Sequence, residues 1–390
     1  MRSMLVPSWQ QLCASKSQWR RHVATAAGGP SPHPTAWQQD RISSNGTWWT
    51  TSSSLSGASS SQQPYVIGSG TPALDTAPPS APIDDAALDQ LADVMLHARG
   101  TLVLTGAGCS TESGVPDYRG PAGAYVVSNH KPMTHQQFMA SEANRSRYWA
   151  RSFAGWSRFS SVQPNAAHEN IARLQHRGWA PTLITQNVDR LHQQAGSKGV
   201  LELHGTTHEV VCMSCGQLSC RHDFQRQLAA LNPDAAAAAT RAAAQEAATA
   251  GDPSLQDPSS SSNSSSVQRP DGDAEVEGTG QGFAAPPCPS CGGILKPHVV
   301  FFGDGIPPAR AQHALELAQS CGSVLVVGSS LAVWSAFRLV KAAVENGAQL
   351  AIITAGPTRA DDLASLKIDG RAGEILARLA AHTSLQVPPV

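Results

Sequence analysis

No apolar run in this chain is long enough to span a bilayer, and neither sign of charge is in excess. Lys and Arg number 28 against 29 Asp and Glu, so the electrostatic footprint of a nucleic-acid or membrane-surface protein is missing. Acidic residues are absent before Asp40, whereas Arg2, Lys16, Arg20 and Arg21 are basic and Ser, Thr and Ala abound. No continuous apolar segment of the secretory kind accompanies them. Residues 1–83 therefore read as an organellar transit peptide and disordered linker, addressed to the mitochondrial matrix or, alternatively, a plastid. The eight cysteines show no disulfide framework in their spacing. Four of them form two CxxC pairs, which points to metal binding in a reducing compartment.

A further absence is informative at residues 105–119, TGAGCSTESGVPDYR. The segment follows an apolar run, residues 101–104, that reads as a buried strand. Gly106-Ala107-Gly108 then allows a tight turn, and backbone N–H groups at a strand-to-helix turn favour an anion such as a pyrophosphate. The third glycine of the usual dinucleotide fingerprint is missing, since Thr111 stands there. No acidic residue follows about 20 positions on to hold a ribose. A plain hydride-transfer dehydrogenase is disfavoured, and what remains is an unusual phosphate loop running into Asp117-Tyr118-Arg119. Cys109 within it reads as a small packing residue.

Apolar runs at 101–105, 181–185, 323–327 and 349–354, with helices between, predict an α/β fold built on a doubly wound parallel sheet. In such sheets ligands sit beyond the carboxyl ends of the strands. That places Gln186, Asn187 and Asp189, Gly328, Ser329 and Ser330, and Thr354, Ala355 and Gly356 at one crevice. The folded part begins near Asp84, where the spacing of apolar residues is helical. Residues 136–159 read as a helical, aromatic-rich module, and Asn165 as the cap of a following helix.

Two CxxC pairs, Cys212/Cys215 and Cys288/Cys291, supply four thiolates, the ligand set of a closed tetrahedral zinc site with a structural rather than catalytic metal. Between the pairs lie 72 residues, including low-complexity alanine and serine runs, which read as a mostly disordered loop with room for an alanine-rich helix. Loop closure costs grow slowly with length, so the metal site tolerates it. Cys220 is the spare. Of the 14 histidines, His204 ends the apolar segment 200–203, and its near-neutral intrinsic pKa suits a general base.

The string at 105–119 resembles the signature GAGxSxxSGIPDFR, or its Tyr variant, of the sirtuins, the NAD-consuming protein-lysine deacylases. TQNVD at 185–189 is similar to the family's TQNID, and Leu203-His204-Gly205 to its catalytic-histidine motif. KPHVVFFGD at 296–304 is close to KPxVVFFGE, and GSSLAVW at 328–334 and GPTR at 356–359 complete the series in family order. RYWARSFAGW at 147–156, SSVQPNAAH at 160–168 and GPTRADDLASLK at 356–367 look most like the class II, sirtuin-four branch, which is typically mitochondrial.

The resemblance implies a Rossmann-like part (84–130, 160–210 and 295–390), a helical module (131–159) and a zinc module (211–294) with a disordered insert at about 232–284. It implies NAD as co-substrate, contacted by Gly106, Ala107, Gly108, Thr111, Asp117, Tyr118, Arg119, Gln186, Asn187, Asp189, Gly328, Ser329, Ser330, Thr354, Ala355, Gly356 and Ala372. Asn187 would order water and ribose, and Asp189 would hold the nicotinamide carboxamide. Val300, Phe301, Phe302 and Gly303 would clasp the substrate peptide as an extra strand. In the chemistry the resemblance implies, the acyl oxygen of a modified lysine would attack C1′ of the ribose as nicotinamide leaves. His204 would then help deprotonate a ribose hydroxyl, and the acyl group would pass to ADP-ribose. Mono-ADP-ribosyl transfer to protein is the alternative on the same first step. Thr354 stands where the family usually has asparagine, Ala372 replaces a cysteine of the sirtuin-four branch, His298 a frequent aspartate, and Asp304 the usual glutamate. Tyr125 is followed three residues on by Ser128 rather than arginine, so an acidic acyl preference through that position is not expected.

Overall fold

The computed structural model describes residues 83–121, 123–127, 132–250, 269–274 and 282–387, with the backbone alone for 245–250. The expected transit segment, the serine run of the insert and Ser128 lie outside these residues. Six strands form the main sheet in the order β3-β2-β1-β7-β8-β9, every pair parallel. They are β1 (Thr101–Thr105), β2 (Thr182–Thr185), β3 (Leu201–Glu202), β7 (Ser323–Val327), β8 (Gln349–Ile353) and β9 (Leu366–Ile368). The chain winds outward from β1 in one direction and from β7 in the other, so the switch point lies between those two strands.

Alternation along each strand sends side chains to two faces, and both are covered along the central strands β1 and β7, which is why their interiors are apolar. Val103, Leu325, Ala351 and Ile353 pack against Leu88 and Leu91, Ile171 and Leu174, and Ile375, Leu376 and Leu379. These come from helices Asp85–Leu96, Ala166–His176 and Ala372–Ala381. Leu102, Leu104, Val324, Val326, Leu350 and Ile352 pack the other way, against Ala314, Ala318, Leu339, Val340 and Ala343 of helices Pro308–Ser320 and Trp334–Glu345. Each such leucine, isoleucine or valine contributes about 1.5–3 kcal/mol by leaving water. Asn165 caps Ala166–His176 through the backbone N–H groups of Ala167 (2.9 Å) and His168 (3.4 Å), and its amide also donates to the Cys109 carbonyl at 2.9 Å. One side chain thus fixes both the helix and the glycine loop.

A second, three-stranded antiparallel sheet has the order β5-β4-β6. Here β4 is Gly205–Cys212, β5 Leu218–Cys220 and β6 Leu295–Val299. Pairing of Cys212 with Leu295 and of Val211 with Lys296 carries the sheet across the insert. Helices His135–Ala140 and Glu142–Ser161 share a core with this sheet: Phe138, Tyr148, Trp149 and Phe153 pack with Val210, Phe224, Leu228, Leu295 and Phe301. The helical and zinc parts therefore have a common interior. Arg221 is buried within it, its guanidinium 4.6 Å from the Trp156 ring centre and 5.5 Å from that of Trp149, and burial lowers its pKa to about 10.

The described residues of the insert are more ordered than its composition suggests. Residues Pro233–Ala250 form the alanine-rich helix. Residues 269–274 then dock on Glu142–Ser161, with Arg269, Asp273 and Ala274 buried, Ala274 N–H donating to Arg151 O at 3.2 Å, and Arg151 facing Asp273 at 3.7 Å. Gly155 makes the approach possible, since a Cβ there would lie 2.1 Å from the Gly272 carbonyl oxygen. Sequence pattern does not foresee this, because RPDGDA is polar and its order comes from backbone and charge contacts.

Candidate active site

A cleft of about 1130 Å³ opens at the carboxyl ends of β1, β2, β7 and β8. The loop after β1 lines it with Gly106, Ala107 and Gly108, yet the N–H groups of both glycines turn to β7. Gly106 N–H donates to Val327 O at 3.0 Å and Gly108 N–H to Gly328 O at 2.9 Å. A Cβ on Gly106 would sit 2.8 Å from Cβ of Ser329, and one on Gly108 2.9 Å from the Gly328 oxygen. Gly328 itself adopts φ +60°. These two N–H groups are therefore spent inside the fold, and the glycines are needed for close approach of two loops. Cys109 is buried, and burial pushes its thiol pKa well up, as a packing residue requires.

Three loops interlock behind the cleft. Ser110 Oγ donates to Asp189 Oδ2 at 2.7 Å, and Asn187 Nδ2 donates to Gly106 O at 3.0 Å and Ser110 Oγ at 3.1 Å. Gln186 Nε2 reaches Ser329 Oγ at 2.8 Å and Thr105 O at 3.2 Å. Asp189 is buried, and burial raises its pKa against the opposing bonds from Leu191 N–H and Ser110.

His204 stands between β3 and β4. Its Nδ1 is 3.2 Å from the Gln186 carbonyl oxygen and its Nε2 is 2.8 Å from Ser335 Oγ. Burial first, then the charge of Arg310, lowers its pKa to about 4, so the imidazole is neutral at physiological pH. Its own carbonyl accepts from Val300 N–H at 2.8 Å, which ties it to Val300, Phe301, Phe302 and Gly303 along the same cleft. That segment is anchored on its far side: His135 N–H donates to Phe302 O at 2.9 Å and Gln136 Nε2 to Gly303 O at 2.8 Å. Phe301 is buried beneath the Lys296 ammonium, 4.4 Å from its ring centre, while Phe302 is 46% exposed at the lip. Asp304 faces Lys296 at 3.5 Å. His298 turns away from the cleft to Glu209 at 3.2 Å.

Asp117, Tyr118, Arg119, Ser330, Thr354, Ala355 and Gly356 also line the cleft. Asp117 accepts from Gly120 N–H at 2.9 Å, and the Arg119 guanidinium lies 5.4 Å from the Tyr125 ring centre. Thr111 and Ala372 instead line a small adjoining pocket of about 60 Å³. Beside them Glu112 accepts from Gly373 N–H at 2.8 Å, capping Ala372–Ala381 with an anion. Sequence reasoning missed Ser335, Arg338, Pro270 and Asp271, all of which line the main cleft. Only proximity to the GSSLAVW string could have pointed to the first two.

The sulfurs of Cys212 and Cys291 lie 3.5 Å apart and those of Cys215 and Cys288 3.8 Å. All four fall within 4.8 Å of one another. Tetrahedral zinc with bonds of about 2.3 Å puts its sulfurs roughly 3.8 Å apart, so the cluster fits that ion. Cys220 is not part of it. Among the described residues no helix is long and apolar enough to cross a membrane.

The sequence pattern of the Sir2 family matches residues 106–335, which span the glycine loop, QNVD, His204, the cysteines and Ser335. The chain belongs to the Sir2 family. Sirtuins consume NAD, so NAD is the co-substrate, and the four-cysteine cluster fits a structural zinc site. The chain is similar to the NAD-dependent protein deacylase SRT2 of Arabidopsis thaliana, 51% identical over 73% of this chain and 74% of the relative. It is similar to the mitochondrial NAD-dependent protein lipoamidase sirtuin-4 of Bos taurus, 42% identical over 77% and 87%. A solved Sir2 structure with a p53 peptide and NAD+ superposes with a TM-score of 0.55 at 28% identity, covering 75% of this chain and 97% of that one.

Proposed function

We propose that this sirtuin is an NAD-dependent protein-lysine deacylase that moves the acyl group of a modified lysine to ADP-ribose and releases nicotinamide, with His204 as general base. One observation carries the reading. A neutral imidazole, fixed through Nδ1 on a backbone carbonyl, meets the Asn187–Ser110–Asp189 network and the 300–303 segment in a single cleft. NAD supplies the electrophilic ribose carbon and the nicotinamide leaving group. Gly106, Ala107, Gly108, Asp117, Tyr118, Arg119, Gln186, Gly328, Ser329, Ser330, Thr354, Ala355 and Gly356 would hold it, with Thr111 and Ala372 at the margin.

Asp189, braced by Ser110, would hold the nicotinamide carboxamide, and Asn187 would orient ribose and water. Because a carbonyl only accepts, His204 carries its proton on Nδ1 and its basic lone pair on Nε2, beside Ser335 Oγ. Val300 to Gly303 would pair with the acyl-peptide backbone. Residues 1–83 would direct the protein to the mitochondrial matrix. A relative named as mitochondrial supports this, and fluorescence of a fusion carrying residues 1–83 tests it against a plastid or cytosolic signal. The activity is tested by following nicotinamide and O-acyl-ADP-ribose with acylated peptides. ADP-ribose attached to protein with the acyl groups untouched would replace deacylation with ADP-ribosyl transfer.

A further inference from the structure

His204 holds its Nδ1 proton against the Gln186 carbonyl at 3.2 Å, so in the neutral ring the lone pair lies on Nε2. At 2.8 Å from that atom is Ser335 Oγ, whose hydroxyl therefore donates to it. Ser335 is the second residue of helix Trp334–Glu345, and it lines the cleft. Nε2 thus faces the positive end of a helix, which disfavours a proton there. Among residues placed so, only one whose side chain both donates and accepts can satisfy the ring in both protonation states.

We propose that Ser335 is a positioning residue for His204. In the resting enzyme its hydroxyl occupies the single lone pair of Nε2 and holds the ring in place. The ribose hydroxyl displaces that bond: the Ser335 O–H rotates off Nε2, the ribose proton moves onto the freed lone pair, and Ser335 Oγ shares the new N–H with the ribose oxygen as acceptor. No covalent bond to Ser335 forms or breaks: the proton leaves the ribose oxygen, the imidazole becomes imidazolium, and Ser335 turns its own hydrogen toward the cleft. This rests on His204 being the general base. Alanine at position 335 removes the acceptor and weakens the base, because a hydrogen bond to a charged group is worth more than one to a neutral partner.

The test compares full-length wild type, Ser335→Ala, Ser335→Thr and His204→Ala. The measurements are steady-state deacylation and the imidazole nitrogen resonances of ¹⁵N-histidine-labelled protein near pH 7. Ser335→Ala should lose about tenfold or more in kcat with KM for NAD and peptide within about twofold. Its His204 Nε2 resonance should move to the position of an unbonded nitrogen. Ser335→Thr, which keeps the hydroxyl, should restore both. Full kcat in Ser335→Ala, or an unmoved Nε2 resonance, overturns the proposal. So does Ser335→Thr failing as badly as alanine, since that would mark a packing role. If His204→Ala is inactive while Ser335→Ala is unimpaired, only the positioning role falls. If His204→Ala deacylates at full rate, the general-base reading falls and Ser335 with it.

Discussion

Ser110 donates its hydroxyl to Asp189 across 2.7 Å, joining the glycine loop to the QNVD loop inside the fold. Burial raises the Asp189 pKa above the usual carboxylate value. A raised carboxylate pKa means the fold favours the neutral form, so the stability this group supplies is present below the unfolded value near 3.9 and lost as pH rises. Holding the charged form of Asp189 in the fold therefore costs stability. Asp189→Asn should keep or raise the melting temperature at pH 7 while reducing nicotinamide release by about tenfold or more. Paired melting curves and initial rates check this; a destabilised but fully active variant contradicts it.

Buried histidines give the protein an acid-sensitive interior. Burial lowers His192 and His208 to about 3 and His168 well below its usual value. The unfolded chain protonates these groups near pH 6.5 and the folded one does not, so stability present above 6.5 is lost as pH falls toward 3. Three such groups give a slope of roughly 4 kcal/mol per pH unit below about pH 6. Denaturant melts at pH 7.5 and 5.5 should show it, and His192→Asn should make the slope shallower.

The same depression governs activity. With His204 at about 4, kcat should stay flat from pH 8 to pH 6 wherever the fold is intact. An acid limb centred near 6.5 would show that the imidazole titrates as if solvated.

The sulfurs of Cys212, Cys215, Cys288 and Cys291 gather within 4.8 Å of one another at the end of β4. Cys288→Ser should lower bound zinc from one equivalent and cut the melting temperature by about 10 °C or more. Cys220→Ser, outside the cluster, should keep the metal. Unchanged melting after complete zinc removal contradicts a structural ion.

At Gly328, φ is +60° and a Cβ would lie 2.2 Å from Cys109 N. Gly328→Ala should cost about 3 kcal/mol or more and weaken NAD binding together with it. Denaturant titration and NAD calorimetry read both effects.

Strands β1, β7 and β8 could be read from sequence because burial on both faces makes them apolar throughout. Strands β4 and β6 could not: they are antiparallel partners separated by the cysteine insert, and neither has a continuous apolar run. Most cleft residues fall in motif strings, so their convergence was foreseeable, whereas Pro270, Asp271, Ser335 and Arg338 lie outside them. The reason for Gly106 and Gly108 was not, since only the folded chain brings Val327 and Gly328 to their N–H groups. Ser335 was invisible for a related reason: a serine one residue into a helix has no pattern until a histidine is found 2.8 Å away.

The most direct measurement incubates full-length protein with NAD and peptides bearing acetyl, long-chain, branched dicarboxylic or lipoyl lysine, read by mass spectrometry. The account predicts that one acyl class disappears with equimolar nicotinamide and matching O-acyl-ADP-ribose, and that His204→Ala abolishes the transfer. Acyl loss without the ADP-ribose adduct, or full transfer by His204→Ala, would contradict it.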